Sequence, residues 1–131
     1  MRFRPRPVDS FSVVGALTTS VELGIPVVWV LFNNFCFSTI RSVGLTYFNN
    51  SYGTEFTTPD GQPYNPDFPL LAKAFGMGCD LVIDPDDLAP ALKKAMAIDK
   101  PYLLEVRTRA DVPMPRTGHW DIAEFLKLGN D

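Results

Sequence analysis

Apolar residues recur along this chain in two alternating patterns. Between residues 12 and 23, Val13, Val14, Leu17, Val21 and Leu23 approximate one stripe of a helix, with Thr18, Thr19 and Ser20 weakening it. Gly24 suits the position after a helix end, and Pro26 stops continuation. Pro26–Phe32 is an unbroken run of β-branched, aromatic and aliphatic residues. Without polar alternation it predicts a strand buried on both faces, as in a parallel sheet. Residues 36–43 predict a short helix, and residues 44–66 a long irregular connection rich in Gly, Asn, Thr, Pro and Tyr. The aromatics of that connection, Tyr47, Phe48, Tyr52, Phe56 and Tyr64, predict packing against something.

The second half is more regular. Asp67 caps a predicted helix over Phe68–Phe75, with Phe68, Leu71, Ala72 and Phe75 on one stripe and Gly76 at its end. Cys79–Ile83 predicts a short strand. Asp84-Pro85-Asp86-Asp87 then opens a helix with a cap, a first-turn proline and two acids. Leu88, Ala91, Leu92, Ala95 and Met96 form its expected buried face. Pro101–Arg107 predicts a third strand and Asp121–Leu128 a final amphipathic helix. Alternation of this kind implies βαβ units and an α/β fold, its parallel sheet covered on both sides. Ligands in such folds bind at the carboxyl ends of the strands, where Asn33-Asn34 falls.

Composition narrows the function classes. The chain has 131 residues, 46% hydrophobic, enough for one domain with a core and too few for two ordinary ones. Its net charge of −3 gives no global attraction to nucleic acid or anionic membrane. The longest apolar run, Ile25–Phe32, is far below the roughly 20 residues of a membrane span. Arg2, Arg4 and Arg6 make the start basic, but no uninterrupted apolar segment follows, as a secretory signal requires. Cys36 and Cys79 do not make a disulfide scaffold, which points to a reducing cytoplasm. The single histidine, His119, limits any His-based triad or multi-His metal site.

Asn33-Asn34 has two readings. The dipeptide could turn the chain and cap the next helix, or an amide oxygen with a nearby carbonyl could serve a hard cation such as Mg²⁺. The flanking residues bear on the choice. Val21-Glu-Leu-Gly-Ile-Pro-Val-Val-Trp-Val-Leu-Phe-Asn-Asn34 resembles the C-terminal, diphosphate-binding domain of thiamine-diphosphate enzymes, the relatives of acetolactate synthase, benzoylformate decarboxylase and pyruvate decarboxylase. Cys36-Phe-Ser-Thr-Ile-Arg41, Tyr47-Phe48, Asn65-Pro-Asp-Phe68 and Leu71-Ala-Lys-Ala-Phe-Gly76 extend the similarity. So do Asp84-Pro-Asp-Asp-Leu-Ala-Pro-Ala-Leu92 and Lys100-Pro-Tyr-Leu-Leu-Glu-Val106. Each piece is weak, and their order and spacing together are specific.

The resemblance implies a partial parallel-sheet, three-layer sandwich over residues 12–112. An irregular, basic, Pro-rich segment (1–11) precedes it, and a link and helix (113–131) follow. It implies thiamine diphosphate and Mg²⁺ as cofactors, and a parent chemistry of decarboxylating a 2-oxo acid and transferring the resulting unit. In the family the metal motif runs from Gly-Asp-Gly to Asn-Asn. The Asp and second Asn side chains and a main-chain carbonyl two residues later hold the metal. Carried over, Asn34 supplies an amide oxygen and Cys36 its carbonyl. Ile40 belongs either to the apolar wall beside the cofactor or to the core. No side chain here inherits a catalytic role.

Two departures accompany the match. Arg6-Pro7-Val8-Asp9-Ser10 stands where Gly-Asp-Gly is expected, so Asp9 replaces the metal ligand only after a register slip, and Val8 is a poor neighbour for a phosphate. The family's activating glutamate lies on a separate pyrimidine-binding domain, and Glu22, Glu55, Glu105 and Glu124 match no such motif. The first strand of the domain also has no counterpart. The chain is therefore expected to be incomplete, weakly active or inactive alone, homo-oligomeric, and able to use a pyrimidine-binding domain on another chain. A different class of reading is a non-catalytic remnant or interaction subunit that associates through its aromatic loop and an unpaired sheet edge. A flavodoxin-like phosphate binder is a third, opposed by the lack of a glycine-rich loop. His119, Arg107, Arg109 and Arg116 read as packed or solvated residues, and Cys79 as inert core.

Overall fold

A computed structural model describes residues 14–112. The elements are α1 (Val14–Glu22), β1 (Val28–Asn33), α2 (Ser38–Phe48), α3 (Phe68–Ala74), β2 (Gly78–Val82), α4 (Leu88–Ala97) and β3 (Tyr102–Arg107), with a 3₁₀ turn, Pro85–Asp87, leading into α4. The strands form one parallel sheet in the order β1-β3-β2. Val28 aligns with Tyr102 and Asn33 with Arg107 on one side, and Gly78 with Tyr102 on the other.

Three layers result. On one face Leu31, Leu103 and Met77 pack with Leu17 of α1 and Phe68 and Ala72 of α3. On the other, Val28, Tyr102, Leu104, Val82 and Val106 pack against α4, whose Ala95 is fully buried. The caps act as their residue types predict. Asp67 accepts the Leu70 N–H at 2.7 Å, and Asp84 accepts the Asp86 N–H at 3.0 Å. Gly24 adopts φ +60° after α1, a conformation that favours glycine. Buried Ser20 satisfies its hydroxyl on the Leu17 carbonyl at 2.7 Å.

Four expectations are corrected. The strand buried on both faces is β3, buried from Tyr102 to Val106. β1 lies at the sheet edge among the described residues and leaves Phe32 52% exposed. Glu105 makes β3 look less central in sequence, yet β3 pairs on both sides. The helix expected over 36–43 starts at Ser38 and continues to Phe48, where Asn49 ends it at φ 50°. Leu23 is exposed because α1 has ended. Met96 is exposed too, since one residue past Ala95 turns about 100° off the buried face. Asp9, Val13, Arg116, His119, and the predicted helix Asp121–Leu128 lie outside the described residues.

Candidate functional site

The carboxyl end of β1 runs into a tight loop, Asn33–Phe37, before α2 begins. Asn33 is 4% exposed, and both polar atoms of its amide are hydrogen-bonded. Its Nδ2 donates to Glu105 Oε1 at 2.6 Å. Its Oδ1 accepts the Phe35 N–H at 3.2 Å and a bond from Asn65 Nδ2. Its carbonyl accepts the Thr108 N–H at 3.0 Å. The parallel register explains the meeting, because Leu31 is opposite Glu105 and Asn33 opposite Arg107, all on one face of the sheet.

Asn34 is half-buried. Its Nδ2 donates to Ser38 Oγ, and its Oδ1 accepts only the long Cys36 N–H bond at 3.2 Å. That oxygen keeps a lone pair for another partner. Phe35 sits at φ 58°, the left-handed region rarely used by a residue of this size. Cys36 then forms an isolated antiparallel bridge to Glu55. Phe37 N–H donates to the Thr54 carbonyl and Phe56 N–H to the Phe35 carbonyl, both at 2.8 Å. This leaves Cys36 at a non-hydrogen-bonded position, with its own N–H and C=O facing away from the 54–56 segment. The buried Cys36 thiol lies 3.3 Å from Ser38 Oγ and forms no disulfide.

The loop thus offers one amide oxygen and one main-chain carbonyl. This all-oxygen set suits a hard cation that shares its coordination with phosphate and water. Among the described residues no cluster of three or more His, Cys, Asp or Glu is placed to hold a metal ion. Ile40 is 60% exposed, which excludes its reading as a core residue.

Arg107 is not the freely solvated arginine expected. Its Nε lies 3.1 Å from Glu105 Oε1, and its guanidinium lies 4.6 Å from the centre of the Phe35 ring. Arg109 is solvated as expected, paired at the surface with Asp111, whose carboxyl it lowers to about 2 by hydrogen bonding. Glu105 and Asn65 are the residues that sequence reasoning missed. A carboxylate inside a predicted buried strand was the available signal, since a buried charge demands partners.

The aromatic connection packs locally in part. Phe37 and Phe56 meet edge to face with centroids 4.7 Å apart, and Arg41 pairs with Glu55 at 2.7 Å, a bond that raises the guanidinium pKa. α2 itself buries no residue, and Phe48 and Tyr52 are 76% and 94% exposed.

A parallel sheet with helices on both faces and an Asn-Asn loop at the carboxyl end of a strand is an α/β architecture, of the kind in which ligands bind at that end of the sheet. Residues 9–106 match the family described as "Thiamine pyrophosphate enzyme, C-terminal TPP binding domain", and the chain belongs to that family. A probable acetolactate synthase large subunit of Methanocaldococcus jannaschii is 34% identical over 91 residues, covering 69% of this chain and 14% of the relative. A 3D-(3,5/4)-trihydroxycyclohexane-1,2-dione hydrolase of Bacillus licheniformis is 28% identical over 105 residues, covering 80% of this chain and 16% of the relative. A thiamine diphosphate-dependent 4-hydroxybenzoylformate decarboxylase of Rhodococcus jostii superposes with TM-score 0.61 and 29% identity, covering 76% of this chain and 18% of that one. The chain thus spans a small fraction of the length of the proteins it matches. No helix among the described residues is long and apolar enough to cross a membrane.

Proposed function

We propose that this chain carries the Mg²⁺–diphosphate half of a thiamine-diphosphate site in an acetolactate-synthase-like enzyme acting on 2-oxo acids. The observation that carries this reading is the 33–36 loop, where Asn34 Oδ1 keeps an open lone pair and the Cys36 carbonyl faces away from the 54–56 segment that its neighbours bond. Asn34 and Cys36 would hold the metal, Asp9 would complete the set, and Ile40 would line the cofactor. The Cys36 thiol takes no part, because the carbonyl is the donor. Thiamine diphosphate, when bound, supplies the carbanion chemistry, while the protein supplies orientation and electrostatics. The two free thiols suit a reducing, cytoplasmic setting.

The substrate-facing parts belong elsewhere. A pyrimidine-binding domain, on another polypeptide or in the remainder of a longer one, would supply the activating glutamate. The unburied apolar face of α2, with Ile40, Leu45, Tyr47 and Phe48 exposed, supports contact with that domain or with a second copy. The same face supports the second reading, a non-catalytic interaction subunit.

Calorimetry with thiamine diphosphate and Mg²⁺ separates the two. Weak, Mg²⁺-dependent binding that Asn34→Ala abolishes supports the cofactor reading. Binding without Mg²⁺ dependence, or none, favours the interaction subunit. Tight binding by the chain alone would overturn its dependence on a second domain. Mixing with a pyrimidine-binding domain should produce 2-oxo acid decarboxylation, and silence on mixing counts against a split enzyme. A monomer at high concentration in light scattering counts against an association face on α2.

A further inference from the structure

Glu105 stands out among the buried groups that the proposed chemistry leaves unused. It is fully buried, its Oε1 accepts Asn33 Nδ2 at 2.6 Å and faces Arg107 Nε at 3.1 Å, and its Oε2 has no hydrogen-bond partner. An oxygen that takes the Asn33 amide N–H can only be acting as an acceptor. Beside it, the Asn33 amide has one favourable orientation, with Nδ2 toward Glu105 and Oδ1 toward the Phe35 N–H. The Phe35 N–H bond is made where the chain enters its left-handed turn at φ 58°. Asn34 and Cys36 flank that turn.

We infer that Glu105 is the positioning residue of this loop: through Asn33 it holds Phe35 in the left-handed conformation that presents the Asn34 amide oxygen and the Cys36 carbonyl to a cation. The inference rests on the cofactor reading above for the identity of the ligand, but the loop geometry it describes exists without one. Arg107 flanks the device from the other side, its guanidinium forming an ion pair with the same carboxylate oxygen and lying against the Phe35 ring.

Two measurements on the full chain test it. The first is amide hydrogen exchange without metal. Glu105→Leu should lower protection of the Phe35 and Cys36 amides at least tenfold, while β2 amides keep theirs. Glu105→Gln, which retains an acceptor for Asn33, should preserve both. If Glu105→Leu does not fold, Asn33→Ala carries the same comparison and leaves Glu105 with Arg107. The second is the Mg²⁺ dependence of thiamine diphosphate binding. Outer residues that orient metal ligands typically govern about 10–100-fold in affinity, and Glu105→Leu should lose affinity in that range. Adding Phe35→Gly should recover part of it, because glycine adopts the left-handed conformation without help. Unchanged exchange at Phe35 in both Glu105→Leu and Asn33→Ala overturns the inference, as does a Glu105→Leu loss that Phe35→Gly leaves untouched. A parent chain that binds no Mg²⁺–thiamine diphosphate overturns the cofactor reading instead, and exchange alone then decides the role of Glu105.

Discussion

Two carboxylates on neighbouring strands, Asp80 of β2 and Glu105 of β3, occupy opposite faces of the sheet and meet opposite fates. Asp80 aligns with Leu104 and faces α4. Lys94 Nζ lies 2.9 Å from each of its oxygens, and Tyr102 Oη donates at 2.8 Å. Its side chain is 28% exposed and that of Lys94 is 58% exposed. Glu105 is wholly enclosed, with one oxygen shared by two donors and the other unbonded. The first pair is an ordinary partly solvated bridge, of the kind that contributes little to stability. The second leaves one carboxylate oxygen unsatisfied inside the domain, an arrangement that exchanging the whole buried set for well-packed hydrophobic residues would match or better for stability alone, whereas removing one partner would not. The difference separates a bridge that trims the surface from a carboxylate that orients a loop.

The comparison is easiest to break at Glu105. Glu105→Ala leaves the buried Asn33 amide and the Arg107 guanidinium without their acceptor, so urea unfolding should show a loss of roughly 3 kcal/mol. A loss no larger than that of an exposed pair would erase the distinction. Gly78→Ala strikes the other region, because an added Cβ would overlap the Tyr102 ring that Asp80 holds. Displacing that ring should cost about 2 kcal/mol in the same experiment, and a neutral result would show that the ring is free to move.

Asp80→Asn removes the charge but keeps an acceptor for Tyr102, and should cost less than about 1 kcal/mol, shrinking further at high salt. The smallest effect is a pH dependence. Burial, reinforced by the bond to Asp80, raises Tyr102 above its ordinary value of 10.0, and the bond to Lys94 opposes this only in part. The folded state therefore favours the neutral phenol. Its contribution is fully present below pH of about 10 and is lost as pH rises from there through the raised value. Ultraviolet titration should resolve one of the four tyrosines ionising late. Simultaneous ionisation of all four would remove the Asp80 cluster from the comparison.

Much of this molecule was legible in the chain itself. Local signals act through neighbours in sequence, so the Asp67 and Asp84 caps, the Gly24 helix stop and all three strands emerge close to their predicted places. The order of the fragments around Asn33-Asn34 was enough to indicate the family, which residues 9–106 match. What the chain did not display was which strand is central. Periodicity describes one strand at a time, whereas centrality depends on having neighbours on both edges, and only the β1-β3-β2 order supplies that for β3. The Glu105–Asn33 bond spans 72 positions and follows from the parallel register, so no local pattern could contain it. The left-handed Phe35 is likewise a tertiary decision: local sterics disfavour it, and the bonds that support it come from Asn33 and, through the Phe35 carbonyl, from the distant Phe56 N–H. Sequence alone determined the segments and the residue types at the candidate site; the packing of distant strands determined which carboxylate is buried and how it holds the loop.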